Sequence, residues 1–171
     1  IRVIREKKDQ PFFLYLPYTA PHFPVEAHPD WKGKSAFVAY GDVVEEVDFR
    51  MGEIMNELKK LGLEKKTIIV FCSDNGPNPR EQANCFPYRC WKWSALEGGK
   101  RVPCIISWPG NIPAAKVYTG LTSAMDLMPT LTEACGIDWQ GMTRGQSKID
   151  GLSVWKSLHE KAVHPRKELL Y

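Results

Sequence analysis

Four residues in this 171-residue sequence have the types and places to work on an anion together. Asp74 and Asn75 follow the apolar run TIIVFC of residues 67–72 and precede Gly76. A carboxylate beside an amide carbonyl is a pair of hard oxygen donors of the kind calcium or magnesium takes, and a glycine lets the backbone turn sharply behind them. The same three residues are also what an ordinary Asx turn is made of. Two side chains cannot fill a calcium sphere of about 6–8 oxygens, so any metal needs further ligands from elsewhere.

His22, flanked by Pro21 and by Phe23-Pro24, could donate a hydrogen bond to an anionic substrate or serve as a general acid. A loop histidine can equally be a solvated one. Lys92, between Trp91 and Trp93, could fix an anion as a point charge, or be a surface lysine packed by its aromatic neighbours. What joins them is place. A metal edge, a histidine and a lysine converging on one sheet edge is the layout of an anion-processing site.

The elements that must position them are readable from periodicity. Pro11 to Pro17 encloses the apolar run FFLYL, expected as a buried strand, and the loop TAPHFPVEAHPDWKGKSAF that follows is too rich in proline for a helix. From Gly41 to Leu61 the apolar residues Val44, Val47, Met51, Ile54, Leu58 and Leu61 recur at spacings of 3, 4, 3, 4 and 3, which predicts a helix of about six turns. Glu45, Glu46, Glu53, Lys59 and Lys60 are left for its wet face. Thr67 to Cys72 is the next strand. Strand, helix, strand predicts a βαβ unit with parallel strands and a right-handed crossover, whose shared carboxyl edge is where open α/β sheets bind ligands.

Residues 77–96 have no clear period and are long for a structureless connection, a pattern that goes with a functional or disordered segment. Val102 to Trp108 predicts a third strand, ended by Pro109-Gly110. Helices are expected over Ser123 to Cys135, with Gly136 as its C-terminal cap, and over Gly151 to Lys161.

Composition narrows the partners. Twenty-three basic and twenty acidic residues leave a net charge of +3 with no basic stripe, so nucleic acid is not an expected partner. No apolar stretch approaches the roughly 20 residues that span a bilayer. Five cysteines without a C-x-x-C pair make neither a disulfide framework nor a zinc site. Cys72 and Cys104 fall in apolar runs and are expected as buried thiols. Cys85 and Cys90 lie in a loop, where pairing is open. Both ends read as cut, suggesting a piece of a longer protein.

Taken in order, PFFLYLPYTAPHFP, GDVVEEVDFRMGEIMNELKKLGL, TIIVFCSDNGP, KWSALEGGKRVPCIISWPGNIP, SAMDLMPTL and IDGLSVWKSL resemble the later part of the catalytic domain of the formylglycine-dependent sulfatases. The series covers nearly the whole chain. The resemblance implies an α/β fold of the alkaline-phosphatase-like kind, a mostly parallel sheet flanked by helices and incomplete at both ends. Residues 1–171 would be the C-terminal portion of a single catalytic domain, without its N-terminal portion or the smaller C-terminal domain. It implies calcium, with Asp74 and Asn75 as two of its ligands, and roles for His22 in contacting sulfate and assisting the leaving oxygen. Lys92, before Glu97-Gly98-Gly99, would bind the sulfate.

The family's nucleophile, a formylglycine made from the cysteine of a C-x-P-x-R motif, is expected upstream of this chain with the remaining calcium ligands. Cys85-Phe86-Pro87-Tyr88-Arg89 spells that motif too. It stands on the wrong side of the metal strand and carries Tyr88 where the family has a small residue, so it reads as a coincidence in a loop. The implied substrate is a sulfated small molecule or glycan, the implied partner the rest of the catalytic domain, and the implied compartment secreted, periplasmic or lysosomal. A phosphoester or phosphonate hydrolase of the same superfamily, and a non-catalytic binding module, are the rival readings.

Overall fold

The computed structural model describes residues 1–80, 83–142, 149–160 and 162–170. They form two compact units, Ile1–Trp108 and Pro109–Tyr171.

The first unit is organised by one long helix. A short helix α1, Arg2–Lys7, buries Ile4 and is followed, after an extended segment and a loop, by α2, Val38–Lys60. The sequence expectation of a helix over Gly41 to Leu61 is met and extended by a turn at the start. Its buried face is narrower than the apolar stripe suggests, because Val43 and Leu58 are buried while Val44 is 43% exposed.

Carboxylates, not only apolar residues, set how α2 is held. Asp42 accepts the N–H groups of Gly33 at 2.7 Å, Lys34 at 3.0 Å and Ser35 at 2.7 Å. The N–H groups of Ser35 and Gly33 hold its carboxyl below the ordinary range against the effect of burial, with Lys34 adding to them. One turn on, Glu46 accepts the His28 N–H at 2.8 Å, where a solvated glutamate was expected. The proline-rich loop thus spends its backbone donors on the first two turns of α2. At the other end Arg5 makes a two-pronged pair with Glu57, at 2.7 and 2.9 Å, that ties α1 to α2.

Strand β1, Ile69–Cys72, pairs with β2, Cys104–Ser107, in a two-stranded antiparallel sheet with Ile69 opposite Ser107 and Cys72 opposite Cys104. Between them lies the four-residue helix α3, Glu97–Lys100. The indole N–H of Trp108 donates to the Lys65 carbonyl at 3.0 Å and fastens the end of β2 to the turn that precedes β1.

Two expectations are corrected here. Pro11 to Pro17 forms no ladder, and the sheet among the described residues is antiparallel, so the predicted parallel pairing of that run with β1 is not observed. The run is extended all the same, with Phe13 84% and Tyr15 76% exposed while Phe12 and Leu14 are half-buried. An uninterrupted apolar run between prolines favours an extended chain, but a strand exists only through a partner's hydrogen bonds, and the apolar pattern does not name the partner. Cys72 and Cys104, expected as buried thiols, are exposed.

The second unit contains α4, Leu127–Ala134, the short α5, Trp139–Met142, and α6, Trp155–His159. Gly136 ends α4 at φ +69°, as its position predicts. The centre of this unit is Asp126, which has no exposed surface. Its carboxylate accepts the N–H groups of Ser123 at 2.9 Å and Leu152 at 2.8 Å and the Arg166 guanidinium, whose Nε stands at 3.1 Å. Thr130 relays the grip, accepting the Val154 N–H at 3.0 Å through its hydroxyl. The segment before α6 is therefore clasped to the start of α4.

Candidate active site

β1 runs straight into the Asp74-Asn75 turn. The ladder extends one residue past the strand, where the Ser73 N–H donates to the Pro103 carbonyl at 3.2 Å, and the Ser73 hydroxyl then donates to the Asn75 carbonyl at 3.1 Å. Gly76 follows, buried, with its N–H on the Gly99 carbonyl at 3.1 Å. A Cβ at Gly76 would collide with the Gly98 carbonyl oxygen, so the turn accepts no larger residue.

The glycine doublet of α3 is the hub. The Gly98 N–H donates to the Arg89 carbonyl at 2.9 Å, and a Cβ there would strike the Cys90 carbonyl. A Cβ on Gly99 would strike the Ser94 carbonyl. The Lys92 N–H donates to the Pro77 carbonyl at 2.9 Å. Three segments that are apart in sequence, 74–77, 89–94 and 97–99, are thus packed backbone on backbone. This brings the stretch carrying Lys92 against the stretch just after Asn75. The doublet is plain in the sequence, but its use as a close-approach surface depends on carbonyls of residues 89–94 that only the tertiary structure brings to it.

Arg101 braces this hub from outside. Its guanidinium bonds the Tyr88 hydroxyl at 2.8 Å, lies 4.9 Å over the Tyr88 ring and pairs with Glu97 at 2.6 Å. The Tyr88 hydroxyl and then Glu97 raise the Arg101 pKa further above its ordinary value. Tyr88 is the residue that sets the local C-x-P-x-R apart, and it serves here as a strut. Within that motif the Cys85 thiol donates to the Cys90 carbonyl at 2.7 Å, and both cysteines are free. A cleft of about 330 Å³ opens beside this loop between Pro77, Asn84, Cys85, Tyr88, Cys90 and Trp91.

The functional side chains themselves are disposed as follows. Asp74 is exposed and Asn75 half-buried. Neither side chain has a hydrogen bond or ion pair to another of the described residues. Lys92 is half-buried, with its ammonium 5.9 Å from the Trp93 ring. His22 is exposed, and its Nδ1 lies 2.8 Å from the Phe23 carbonyl oxygen. A carbonyl can only accept, so Nδ1 carries the proton and Nε2 is the nitrogen turned to other business. Among the described residues no hydrogen bond, ion pair or ring contact joins His22 to Asp74, Asn75 or Lys92.

The donor chemistry fits a hard cation in part. Asp74 and Asn75 offer two uncommitted side-chain oxygens, and among the described residues no three acidic, histidine or cysteine side chains are grouped so that they could hold a metal ion. These two would hold a calcium ion from one side only.

The partial α/β unit packs an Asp-Asn-Gly turn, backbone on backbone, against a Glu-Gly-Gly helix. The sulfatase family model matches residues 1–137, and the chain belongs to the sulfatase family. It is 40% identical over 168 residues to N-acetylgalactosamine-6-sulfatase of Rattus norvegicus, covering 96% of this chain and 31% of that protein. With arylsulfatase A of Homo sapiens it shares 32% identity over 169 residues, covering 97% of this chain and 32% of the relative.

Among solved structures it resembles the PsFucS1 sulfatase from Pseudoalteromonas sp., with a TM-score of 0.85 and 31% identity over 92% of this chain and 32% of that one. It also resembles Ps i-CgsB in complex with k-i-k-neocarrahexaose, with a TM-score of 0.79 and 36% identity over 91% of this chain and 36% of that one. The chain spans about a third of the length of the curated relatives it matches. Its fold is accordingly α/β of the alkaline-phosphatase-like kind, present in part, within which the two-stranded antiparallel sheet is one piece.

Proposed function

We propose that the intact protein carrying this chain hydrolyses sulfate esters, and that residues 1–171 are the later part of its single catalytic domain. The observation that supports this reading most is the backbone union of the Asp74-Asn75 turn with the segment bearing Lys92, through Gly76 to Gly99 and Lys92 to Pro77. Asp74 and Asn75 supply two oxygens to calcium. When bound, that ion neutralises charge on the sulfate oxygens.

Lys92 adds a second positive charge to the same anion from a half-buried position, where its attraction is less screened than in open water. His22 directs Nε2 at the leaving oxygen. Because Nδ1–H is committed to the Phe23 carbonyl, donating from Nε2 requires the imidazolium, so His22 enters as the acid form. The formylglycine nucleophile comes from residues outside this chain.

The substrate class is a sulfated small molecule or glycan. The names of the N-acetylgalactosamine-6-sulfatase relative and of the neocarrahexaose complex favour a sulfated sugar. A secreted, periplasmic or lysosomal site of action goes with the family resemblance. No helix among the described residues is long and apolar enough to cross a membrane.

Turnover of paired sulfate and phosphate monoesters of one phenol by the intact protein, with and without calcium, tests the reading. Calcium-dependent release of sulfate is the expected result. Faster release of phosphate, or no turnover of either ester, would overturn it.

A further inference from the structure

Cys72 and Cys104 face each other across the β1–β2 pair. Antiparallel partners alternate between hydrogen-bonded and non-hydrogen-bonded positions. The Ser73 N–H donates to the Pro103 carbonyl at 3.2 Å, which makes Ser73 and Pro103 the hydrogen-bonded position, with proline unable to return the bond. The next position back, Cys72 with Cys104, is therefore non-hydrogen-bonded. At such a position the two Cα atoms are about 4.5 Å apart and the side chains project together from one face of the sheet. That separation lies inside the roughly 4.4–6.8 Å that a disulfide spans. Both thiols are free, and both are exposed in this chain, which spans about a third of the length of its relatives.

We propose that Cys72 and Cys104 are a reversible thiol–disulfide pair, a redox modification site at the carboxyl end of β1. The oxidant is a low-molecular-weight disulfide. The thiolate of one cysteine attacks a sulfur of that disulfide, breaking its S–S bond, releasing one small thiol and leaving a mixed disulfide. The facing thiolate then displaces the second small thiol. The protein loses two electrons and two protons, and the oxidant gains both as two thiols. The new bond pins β1 to β2 just before Ser73 and so stiffens the edge that turns into Asp74-Asn75. This inference rests on strand register and is independent of the sulfatase reading.

The test is to expose the intact protein to oxidised glutathione, block remaining thiols with iodoacetamide and map peptides without reduction. A peptide pair joined through Cys72 and Cys104, released by dithiothreitol, is the expected result. Cys72→Ser should abolish the joined pair and leave glutathione on Cys104, whereas Cys85→Ser should leave it intact. Full alkylation of Cys72 and Cys104 after oxidation would overturn the proposal, as would pairing of either with Cys85, Cys90 or Cys135. The wild-type map decides the matter even where a serine variant fails to fold.

Discussion

The Gly76 N–H sits on the Gly99 carbonyl oxygen at 3.1 Å, and the Cα of Gly76 packs so near Gly98 that no side chain fits between them. This single crossing sets the Asp74-Asn75 turn on the helix that follows Lys92. A methyl group at Gly76 must push backbone apart, not a flexible side chain. Gly76→Ala should cost about 1–3 kcal/mol or more of stability and should depress turnover beyond what the melting curve accounts for. Chemical denaturation alongside kinetics of the same variant measures both. Unchanged kinetics would detach this crossing from the site.

Asp74 carries a charge that no described residue neutralises. Asp74→Ala in the intact protein should raise the calcium concentration needed for half-maximal activity by at least the roughly 10–100-fold typical of residues that merely support metal ligands. Calcium should also stop raising the melting temperature of the variant. Equal calcium responses in both proteins would remove Asp74 from the metal edge.

His22 and Lys92 should separate by leaving group. A general acid matters most where the departing oxygen is basic. His22→Ala should therefore cost about 10²–10⁴-fold with an alkyl or sugar sulfate and far less with nitrophenyl sulfate. Lys92→Ala removes charge from the sulfate itself, so its loss, about 10²–10³-fold, should be similar for both esters. Identical profiles for the two variants would contradict the division of labour.

In the second unit, Asp126 links stability to pH. Burial by itself pushes its carboxyl up, and the Arg166 guanidinium with the N–H groups of Leu152 and Ser123 outweighs it, so the group sits below the ordinary carboxylate range. A depressed value means the stabilisation is complete above the unfolded-chain pKa of about 3.9. It drains as pH falls through the lower folded value. Asp126→Asn should flatten the acid limb of a melting-temperature profile. Arg166→Met, which strands a buried carboxylate, should cost about 3–5 kcal/mol at neutral pH. An acid limb unaltered in Asp126→Asn would assign it to other carboxylates.

Two features of the fold carried local signals strong enough to read. The 3-4 spacing from Val44 to Leu61 specified α2, and Gly136 marked the end of α4, because helix formation and termination depend on neighbours within one or two turns. The turn at Asp74-Asn75-Gly76 was legible for the same reason. The buried roles of Asp42 and Asp126 were not. Asp42 takes its three N–H groups from Gly33, Lys34 and Ser35 in the preceding loop. At Asp126 the Ser123 capping box has a local Ser-x-x-Asp signature, but the bonds from Leu152 and Arg166 come from far along the chain and have none.

By itself, the order of residues determined the family, the long helix, the apolar run that becomes β1 and the candidate set His22, Asp74, Asn75 and Lys92. Only the tertiary structure decided that β1 runs antiparallel to β2, that Pro11 to Pro17 is extended without a ladder, and that Cys72 faces Cys104. It alone stacked the turn at Gly76 on the Gly98-Gly99 doublet. Periodicity records which face of an element avoids water, whereas pairing, register and close backbone approach arise between segments and have no counterpart in the order of residues along either one.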